Sequence, residues 1–271
     1  MERKIFFTDL DETLLTKEKT MTPATVEAVK KLTEAGHYLA LISGRPLDSI
    51  VEARSLLPIS NHHLYYVANN GGLIVDAETM EAISEIRLTM EETAYLLEAS
   101  EKAGIHCHAY TDNAIVAKEQ TPELTFYQKT IHLPAIYADP VVDALDKPPF
   151  KCLAISLEGR SHVEALRDSL MPWAEGHVTL ICSTDRLLEM FPAASGKGSA
   201  LKRLAEYLQI PLENTMSAGD QDNDISMLEA AGLGVAMCNG SEGAKAAADV
   251  ITLQDNNHDG LVPYLEQFFH L

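Results

Sequence analysis

Four clusters of polar residues each come directly after an apolar run, and their residue types could hold a cation beside an anion. Thr8-Asp9-Leu10-Asp11-Glu12-Thr13 sets two carboxylates two residues apart. One Asp could serve as a turn residue, whereas two at the end of a buried strand point to chemistry. Ser43-Gly44-Arg45-Pro46 joins a hydroxyl to backbone N–H groups that can hold an anion at a helix start, although Gly and Pro also mark plain turns. Ser195-Gly196-Lys197-Gly198 places a lysine between glycines, which would let the backbone approach a ligand, ahead of a helix expected from Ser199. A Walker loop is excluded, because Phe191 stands where its first Gly belongs and Gly198 where Ser or Thr should follow the lysine. Gly219-Asp220-Gln221-Asp222-Asn223-Asp224 gathers three acids in five residues, hard oxygen ligands suited to Mg²⁺ or Ca²⁺. An EF-hand is excluded by Ile225 and Ala231 at its Gly and Glu positions. Mg²⁺ is the better match, since it is usually held by few carboxylates together with substrate phosphate and water.

Taken together, Asp9, Asp11 and the Asp220 loop would gather a divalent cation, while Ser43, Lys197 and backbone amides would take an anion. That pairing suits phosphoryl transfer, in which an enzyme mainly positions the reactants and neutralises phosphoryl oxygens. An aspartate nucleophile forming an aspartyl-phosphate is one established route.

The elements that must position these clusters alternate strand and helix at both ends of the chain. Lys4 to Thr8, Tyr38 to Ile42 and Leu64 to Ala68 read as strands, with a helix from Pro23 capped by Thr22 and ended at Gly36, and another over Leu47 to Ser55. Later, the stripe Leu201, Leu204, Ala205 and Leu208 marks a helix; strands follow at Thr215 to Ala218, Leu233 to Met237 and Val250 to Thr252, with helices at Ile225 to Ala231 and Leu261 to Phe269. This rhythm predicts βαβ units in one doubly wound parallel sheet, whose strand ends would bring the four clusters to one crevice. Between roughly Arg87 and Glu189 strands pair without intervening helices, as in Ile105 to Tyr110 with Ala114 to Ala117 and Val178 to Cys182 with Leu187 to Phe191. Helices there are predicted at Thr89 and Ser161, each with a Glu at the capping-box spacing (Glu92, Glu164), and a strand at Lys151 to Leu157. The economical reading is an α+β insertion within an α/β core.

Composition narrows the partners. The chain has 271 residues, 21 Lys+Arg against 40 Asp+Glu and a formal net charge of −19, which disfavours nucleic acid and anionic membrane surfaces. With 46% hydrophobic and 23% charged residues it has the balance of a globular protein. Only Ile5-Phe6-Phe7 precedes Thr8, too short a run for a signal-peptide core, and Cys107, Cys152, Cys182 and Cys238 form no CxxC pair, so a soluble cytoplasmic protein is expected. His106-Cys107-His108 is not read as a zinc site, because in a strand the cysteine faces away from both histidines.

The ordered set Asp9-x-Asp11-x-Thr13, Ser43-Gly44-Arg45, Lys197 and Gly219-Asp220-x-x-Asn223-Asp224 resembles the four motifs of the haloacid dehalogenase (HAD) superfamily, and more narrowly its Cof-type phosphatases of subclass IIB. Asn69-Asn70-Gly71-Gly72 and Gly234-Val235-Ala236-Met237-Cys238-Asn239 extend the likeness. Only 31 residues lie between Asp11 and Ser43, but 153 lie between Ser43 and Lys197, where the cap of that subclass belongs. The resemblance implies a Rossmann-like catalytic core of residues 1–86 and 190–271 and an inserted α+β cap at 87–189 that governs substrate choice. It implies Mg²⁺ as cofactor, held by Asp9, Asp11 (through its backbone carbonyl), Asp220 and Asp224, the last orienting the site from behind. Asp9 would attack phosphorus, Asp11 would protonate the leaving group and then activate water, and Lys197 would tie the phosphoryl group to Asp9. Leu10, Ser43, Gly44, Lys197 and Asn223 would contact phosphate. Glu12 departs from the family's usual Gly, and Ala194-Ser195-Gly196 from its usual Gly-Val-Ser.

The expected activity is hydrolysis of a small phosphorylated metabolite, a sugar phosphate or a phosphorylated cofactor. The alternatives are a phosphomutase or phosphotransferase of the same superfamily, or a non-catalytic regulator that binds such a metabolite. Intact Asp9, Asp11, Lys197 and Asp220 speak against the last.

Overall fold

The computed structural model describes residues 2–55 and 57–271 and resolves them into two compact units, Met1–Glu85 with Gly196–Leu271 and Ile86–Ser195. In chain order, the first segment forms β1 (Ile5–Thr8), α1 (Pro23–Glu34), β2 (Tyr38–Ile42), α2 (Leu47–Ser55), β3 (Leu64–Ala68), β4 (Leu73–Asp76) and β5 (Ala82–Glu85). The Thr22 hydroxyl accepts from the Thr25 N–H at the head of α1, and Gly36 takes φ +83° just beyond its end, as the capping residues predict.

The second unit contributes α3 (Met90–Lys102), β6 (His106–Tyr110), β7 (Ile115–Ala117), α4 (Pro122–Tyr127), β8 (Ala135–Tyr137), β9 (Cys152–Ile155), α5 (Arg160–Ala174), β10 (Val178–Thr184) and β11 (Leu187–Pro192). The chain then returns to the first unit with α6 (Lys197–Tyr207), β12 (Thr215–Gly219), α7 (Ile225–Ala230), β13 (Leu233–Ala236), α8 (Glu242–Ala247), β14 (Val250–Ile251) and α9 (Val262–Phe269).

Among the described residues the first unit holds an eight-stranded sheet in the order β14-β13-β12-β1-β2-β3-β4-β5. From β14 to β3 all neighbours run parallel; β4 and β5 add an antiparallel edge that the strand-helix rhythm did not foretell. Both faces of the centre are covered, which is why β1 reads as an unbroken apolar run rather than an alternating one. Ile5 and Phe7 pack with Ala200, Leu201, Leu204 and Met227 of α6 and α7, whereas Phe6 meets Phe269 of α9 edge-on at 6.4 Å between ring centres. Each such side chain, fully buried, contributes about 1.5–3 kcal/mol.

The second unit is a six-stranded sheet, β10-β11-β9-β6-β7-β8, antiparallel except for the β7–β8 pair. One face packs Ile105, Ala109, Cys152 and Ala154 against Leu96 of α3 and Leu166 and Leu170 of α5, and the other packs Tyr110, Leu153 and Ile155 against Leu124 and Tyr127 of α4. Thr89 forms the expected capping box with Glu92. The box expected at Ser161 does not form: α5 begins at Arg160 behind Gly159 at φ +102°, and Glu164 instead pairs with Arg160 at 2.9 Å. The helix expected from Ser199 likewise begins earlier, at Lys197.

His106 and His108 share one face of β6, as expected, and enter a hydrogen-bonded file rather than a metal site. Thr121 Oγ1 lies 3.0 Å from His106 Nδ1, His106 Nε2 lies 3.0 Å from His108 Nδ1, His108 Nε2 lies 2.9 Å from the Tyr110 hydroxyl, and Tyr110 donates to Tyr127. Because Tyr110 donates onward, each imidazole must carry its proton on Nε2. Burial favours these neutral forms, pushing His106 down to about 4 and His108 well below its ordinary value. No helix among the described residues is long and apolar enough to cross a membrane.

Candidate active site

Parallel neighbours β12, β1, β2 and β3 end at one edge of the sheet, so the residues just past them, Asp220, Asp9, Ser43 and Asn69, emerge side by side. The turn at Asn69-Asn70 ties three of the loops together. Asn69 N–H donates to Arg45 O at 2.9 Å, Asn70 N–H to Ser43 O at 3.0 Å, and Gly196 N–H to Asn70 O at 2.7 Å. Both asparagines adopt the left-handed conformation at φ 52°, a strained geometry that Asn tolerates better than most residues. Gly71 follows at φ +88°, and a Cβ there would lie 2.4 Å from Gly196 O, so only glycine lets α6 start this close.

Lys197, the first residue of α6, is fully buried and donates to Asp9 Oδ1 at 2.6 Å and to Asp224 Oδ1. Asp9, Asp220 and Asp224 form a buried triad in which one carboxylate oxygen from each lies within 4.8 Å of the other two. Asp224 is held closely: its Oδ2 accepts from the N–H groups of Asp220 and Gln221 at 2.9 and 3.0 Å. That approach requires Gly219, where a Cβ would sit 2.4 Å from the Asp224 Cβ. Asp220 accepts from the Thr13 hydroxyl at 2.9 Å and from the Gln221 amide at 2.9 Å.

Three carboxylates face one ammonium, so the cluster has an excess of negative charge. Burial is the largest influence on Asp9 and raises its carboxyl well above the ordinary value; Lys197 opposes it, and Asp224, Asp220 and Asp11 add to it. Burial and Asp224 push Asp220 up to about 6 against the hydrogen bonds from Gln221 and Thr13. Lys197 stays charged, because attraction to Asp224 and Asp9 outweighs the cost of burying it. Two uncompensated negative charges on hard oxygens fit one divalent cation.

Asp11 stands apart from this triad. Arg45 grips it with both arms, Nε to Oδ2 at 2.9 Å and NH2 to Oδ1 at 2.7 Å, and Lys19 Nζ adds a third contact to Oδ1 at 2.7 Å. Burial alone would raise the Asp11 carboxyl, but Arg45 and Lys19 together hold it below the ordinary value. Just past Asp11 the backbone turns sharply, with Glu12 at φ 58°, ψ 10°. The left-handed conformation would suit Gly, and Glu adopts it at some cost.

The other expected residues are close by. Leu10 is buried beside Asp9, Ser43 is buried with its Oγ accepting from Arg45 N–H at 3.2 Å, and Gly44 follows it. Asn223 donates to Asn70 Oδ1 at 3.3 Å. Asp222, the remaining acid of its loop, turns to the Ser241 hydroxyl at 2.8 Å and not to the triad. Gly198 serves packing rather than ligand approach, since a Cβ there would meet Ser226 O at 2.1 Å. The grips of Arg45 and Lys19 on Asp11, of Thr13 on Asp220 and of Asn70 on Asn223 had no signal in sequence spacing. A cavity of about 520 Å³ is lined wholly by second-unit residues, among them Glu98, His106, Lys118 and Thr121, and by none of these groups.

The chain matches the family model of haloacid dehalogenase-like hydrolases over residues 6–265. It is 30% identical over 263 residues to a candidate phosphatase of Streptococcus pyogenes serotype M6, covering 96% of each chain. It is 26% identical over 279 residues to the pyridoxal phosphate phosphatase YbhA of Escherichia coli K12, covering 98% of each. Among solved structures it is similar to a haloacid dehalogenase-like hydrolase from Bacteroides thetaiotaomicron, with TM-score 0.85, 27% identity and coverage of 98% of this chain and 99% of that one.

Proposed function

This chain belongs to the haloacid dehalogenase-like hydrolases, of the Cof type, and we propose that it is a Mg²⁺-dependent phosphatase that cleaves a small phosphorylated metabolite through an aspartyl-phosphate. It is a hydrolase of phosphoric monoesters, the activity its phosphatase relatives share. The observation that carries the mechanism is the buried Asp9 carboxylate, whose Oδ1 is fixed by Lys197 while it shares a triad with Asp220 and Asp224.

In this reading Asp9 attacks phosphorus as the bond to the ester oxygen breaks, and Asp11 gives its proton to that oxygen. Asp11, now a carboxylate, takes a proton from water. The resulting hydroxide attacks phosphorus, the bond to Asp9 breaks, and inorganic phosphate leaves. Lys197, Ser43, Asn223 and the backbone at Leu10 and Gly44 position the phosphoryl oxygens. Mg²⁺, held by Asp9, Asp220 and the Asp11 carbonyl, would neutralise phosphoryl charge during transfer. Asp224, its oxygens already taken by three donors, holds Lys197 and the Asp220 loop in place behind the metal. The inserted unit is the cap that selects the metabolite, with sugar phosphates and phosphorylated cofactors such as pyridoxal phosphate as the first candidates. A cytoplasmic setting belongs to the same reading and suits the four free thiols.

The test is phosphate release across a panel of phosphorylated metabolites with and without Mg²⁺. Mg²⁺-dependent release from at least one monoester is expected; bound Mg²⁺ with no turnover on any would overturn the reading.

A second measurement addresses the metal site through pH. Asp9 and Asp220 both have raised carboxyls in the folded protein, so without metal their contribution to stability is fully present below the ordinary carboxylate value of about 4 and is lost as pH rises toward about 6 for Asp220. A divalent cation reverses that loss by favouring the ionised forms. Saturating Mg²⁺ at a hundredfold excess over its Kd is worth about 2.7 kcal/mol. The rise in thermal midpoint on adding Mg²⁺ is therefore expected to be clearly larger at about pH 7.5 than at about pH 5. Equal rises would place the cation elsewhere.

A further inference from the structure

We propose that Lys19 and Arg45 are positioning residues for proton transfer: they hold the Asp11 carboxylate out of the cation triad, so that of two acids two residues apart only Asp9 offers its carboxylate to the metal and the Asp11 carboxylate is kept for the leaving group. This rests on the reading of Asp11 as the acid–base group.

Two neighbouring carboxylates beside a divalent cation would both be drawn to it, and proton transfer requires that one be kept back. The separation here is built. Arg45 presents a planar fork to both Asp11 oxygens, which fixes the rotation of the carboxylate as well as its place. Its own backbone is anchored on both sides, N–H to Ser43 Oγ at 3.2 Å and carbonyl to Asn69 N–H at 2.9 Å. The acid–base group is thereby tied to the loop read as phosphate-binding.

Lys19 belongs to none of the motifs and arrives by a tight turn. Thr16 N–H donates to Thr20 O at 2.7 Å, Lys19 N–H donates to Thr16 O at 3.0 Å, and the Thr16 and Thr20 hydroxyls lie 3.0 Å apart. Lys19 sits at φ 60°, a conformation unfavourable for a long side chain, and from it the ammonium reaches back to Asp11 Oδ1. An ion pair whose lysine side chain is 48% exposed adds little stability, so folding energy alone does not account for the strained turn. Asp11 itself keeps 35% of its side chain exposed.

The experiment compares phenyl phosphate with 4-nitrophenyl phosphate. In each, the phosphorus–oxygen bond to the leaving phenol breaks as Asp9 attacks. The basic phenolate needs the Asp11 proton on its oxygen, and 4-nitrophenolate departs without it. Because kcat/KM reports the steps through this cleavage, the ratio of kcat/KM for the two esters isolates the proton. Arg45→Gln is expected to raise the 4-nitrophenyl preference on the order of tenfold, Lys19→Gln by less, and Arg45→Lys to restore part of it. In an Asp11→Asn background, adding Arg45→Gln should leave the ratio where Asp11→Asn put it, since the guanidinium acts through that carboxylate. The proposal is overturned if Asp11→Asn shifts the ratio but neither Arg45→Gln nor Lys19→Gln does. If Asp11→Asn leaves the ratio unmoved, the acid–base reading of Asp11 fails first. Lys19→Gln alters an exposed turn residue, so it keeps the test alive should Arg45→Gln impair folding.

Discussion

Lys197→Met is expected to remove turnover and a large part of the folding stability together. Methionine matches the length of the stem but leaves Asp9, Asp220 and Asp224 with no cation among them, the first and last having lost a direct ion pair. Breaking a buried pair by deleting one partner costs about 3–5 kcal/mol, because the other charge stays behind without water. Against a total of about 5–15 kcal/mol for a typical domain, that is about a fifth or more. In urea the unfolding midpoint should fall with the slope unchanged, the signature of lost stability rather than an altered denatured state. Adding Asp224→Asn to Lys197→Met should recover part of the loss, since it removes one of the stranded charges. A Lys197→Met protein as stable as the parent would show that the ammonium is not what holds the cluster together.

Asp9→Asn separates activity from stability in the opposite sense. The amide keeps the shape of the carboxylate but cannot attack phosphorus, and losing a nucleophile typically costs several powers of ten in kcat, on the order of 10⁴ or more. Stability should not fall with it. Asp9 has a raised carboxyl in the folded protein, so at neutral pH its ionisation works against folding, and that cost disappears with the charge. The metal-free variant should unfold at a midpoint equal to or above the parent's, and Mg²⁺ should stabilise it less. Phosphate release within tenfold of the parent would sink the assignment of Asp9 as nucleophile.

Much of the frame could be read from local pattern because local physics made it. The buried strands appear as apolar runs, Thr22 and Thr89 announce helices through hydroxyls that meet their own backbone, and three of the four polar clusters fall together because β12, β1 and β2 are parallel neighbours, whereas the Lys197 cluster follows the antiparallel β11 and arrives at the head of α6. Where reading failed, a neighbour distant in sequence or a competing local bond decided. Ser161 and Glu164 have capping-box spacing, but Ser156 already occupies that turn, its Oγ accepting from Glu158 N–H at 3.1 Å and lying 2.7 Å from His162 Nδ1. The antiparallel edge of β4 and β5 turns on pairing that short strands do not announce. Asp9 and Asp11 look alike in sequence; one is buried with a lysine 188 positions away, and the other is gripped by an arginine 34 positions away. No local pattern carries such contacts, so the motif could name both acids but not tell them apart.

The strand order β12-β1-β2 has a consequence for how the molecule comes into being. Ile5 pairs with Thr215 and Thr8 with Ala218, so the centre of the sheet waits for a partner made much later in synthesis. Pairing over such a separation is slow to form, while the sheet of Ile86–Ser195 closes entirely among its own residues. A growing chain thus carries Asp9 and Asp11 long before Lys197 or Asp220 exists. Translation interrupted before those positions yields a product with Asp9 but with neither Lys197 to pair with it nor Asp220 to complete the triad.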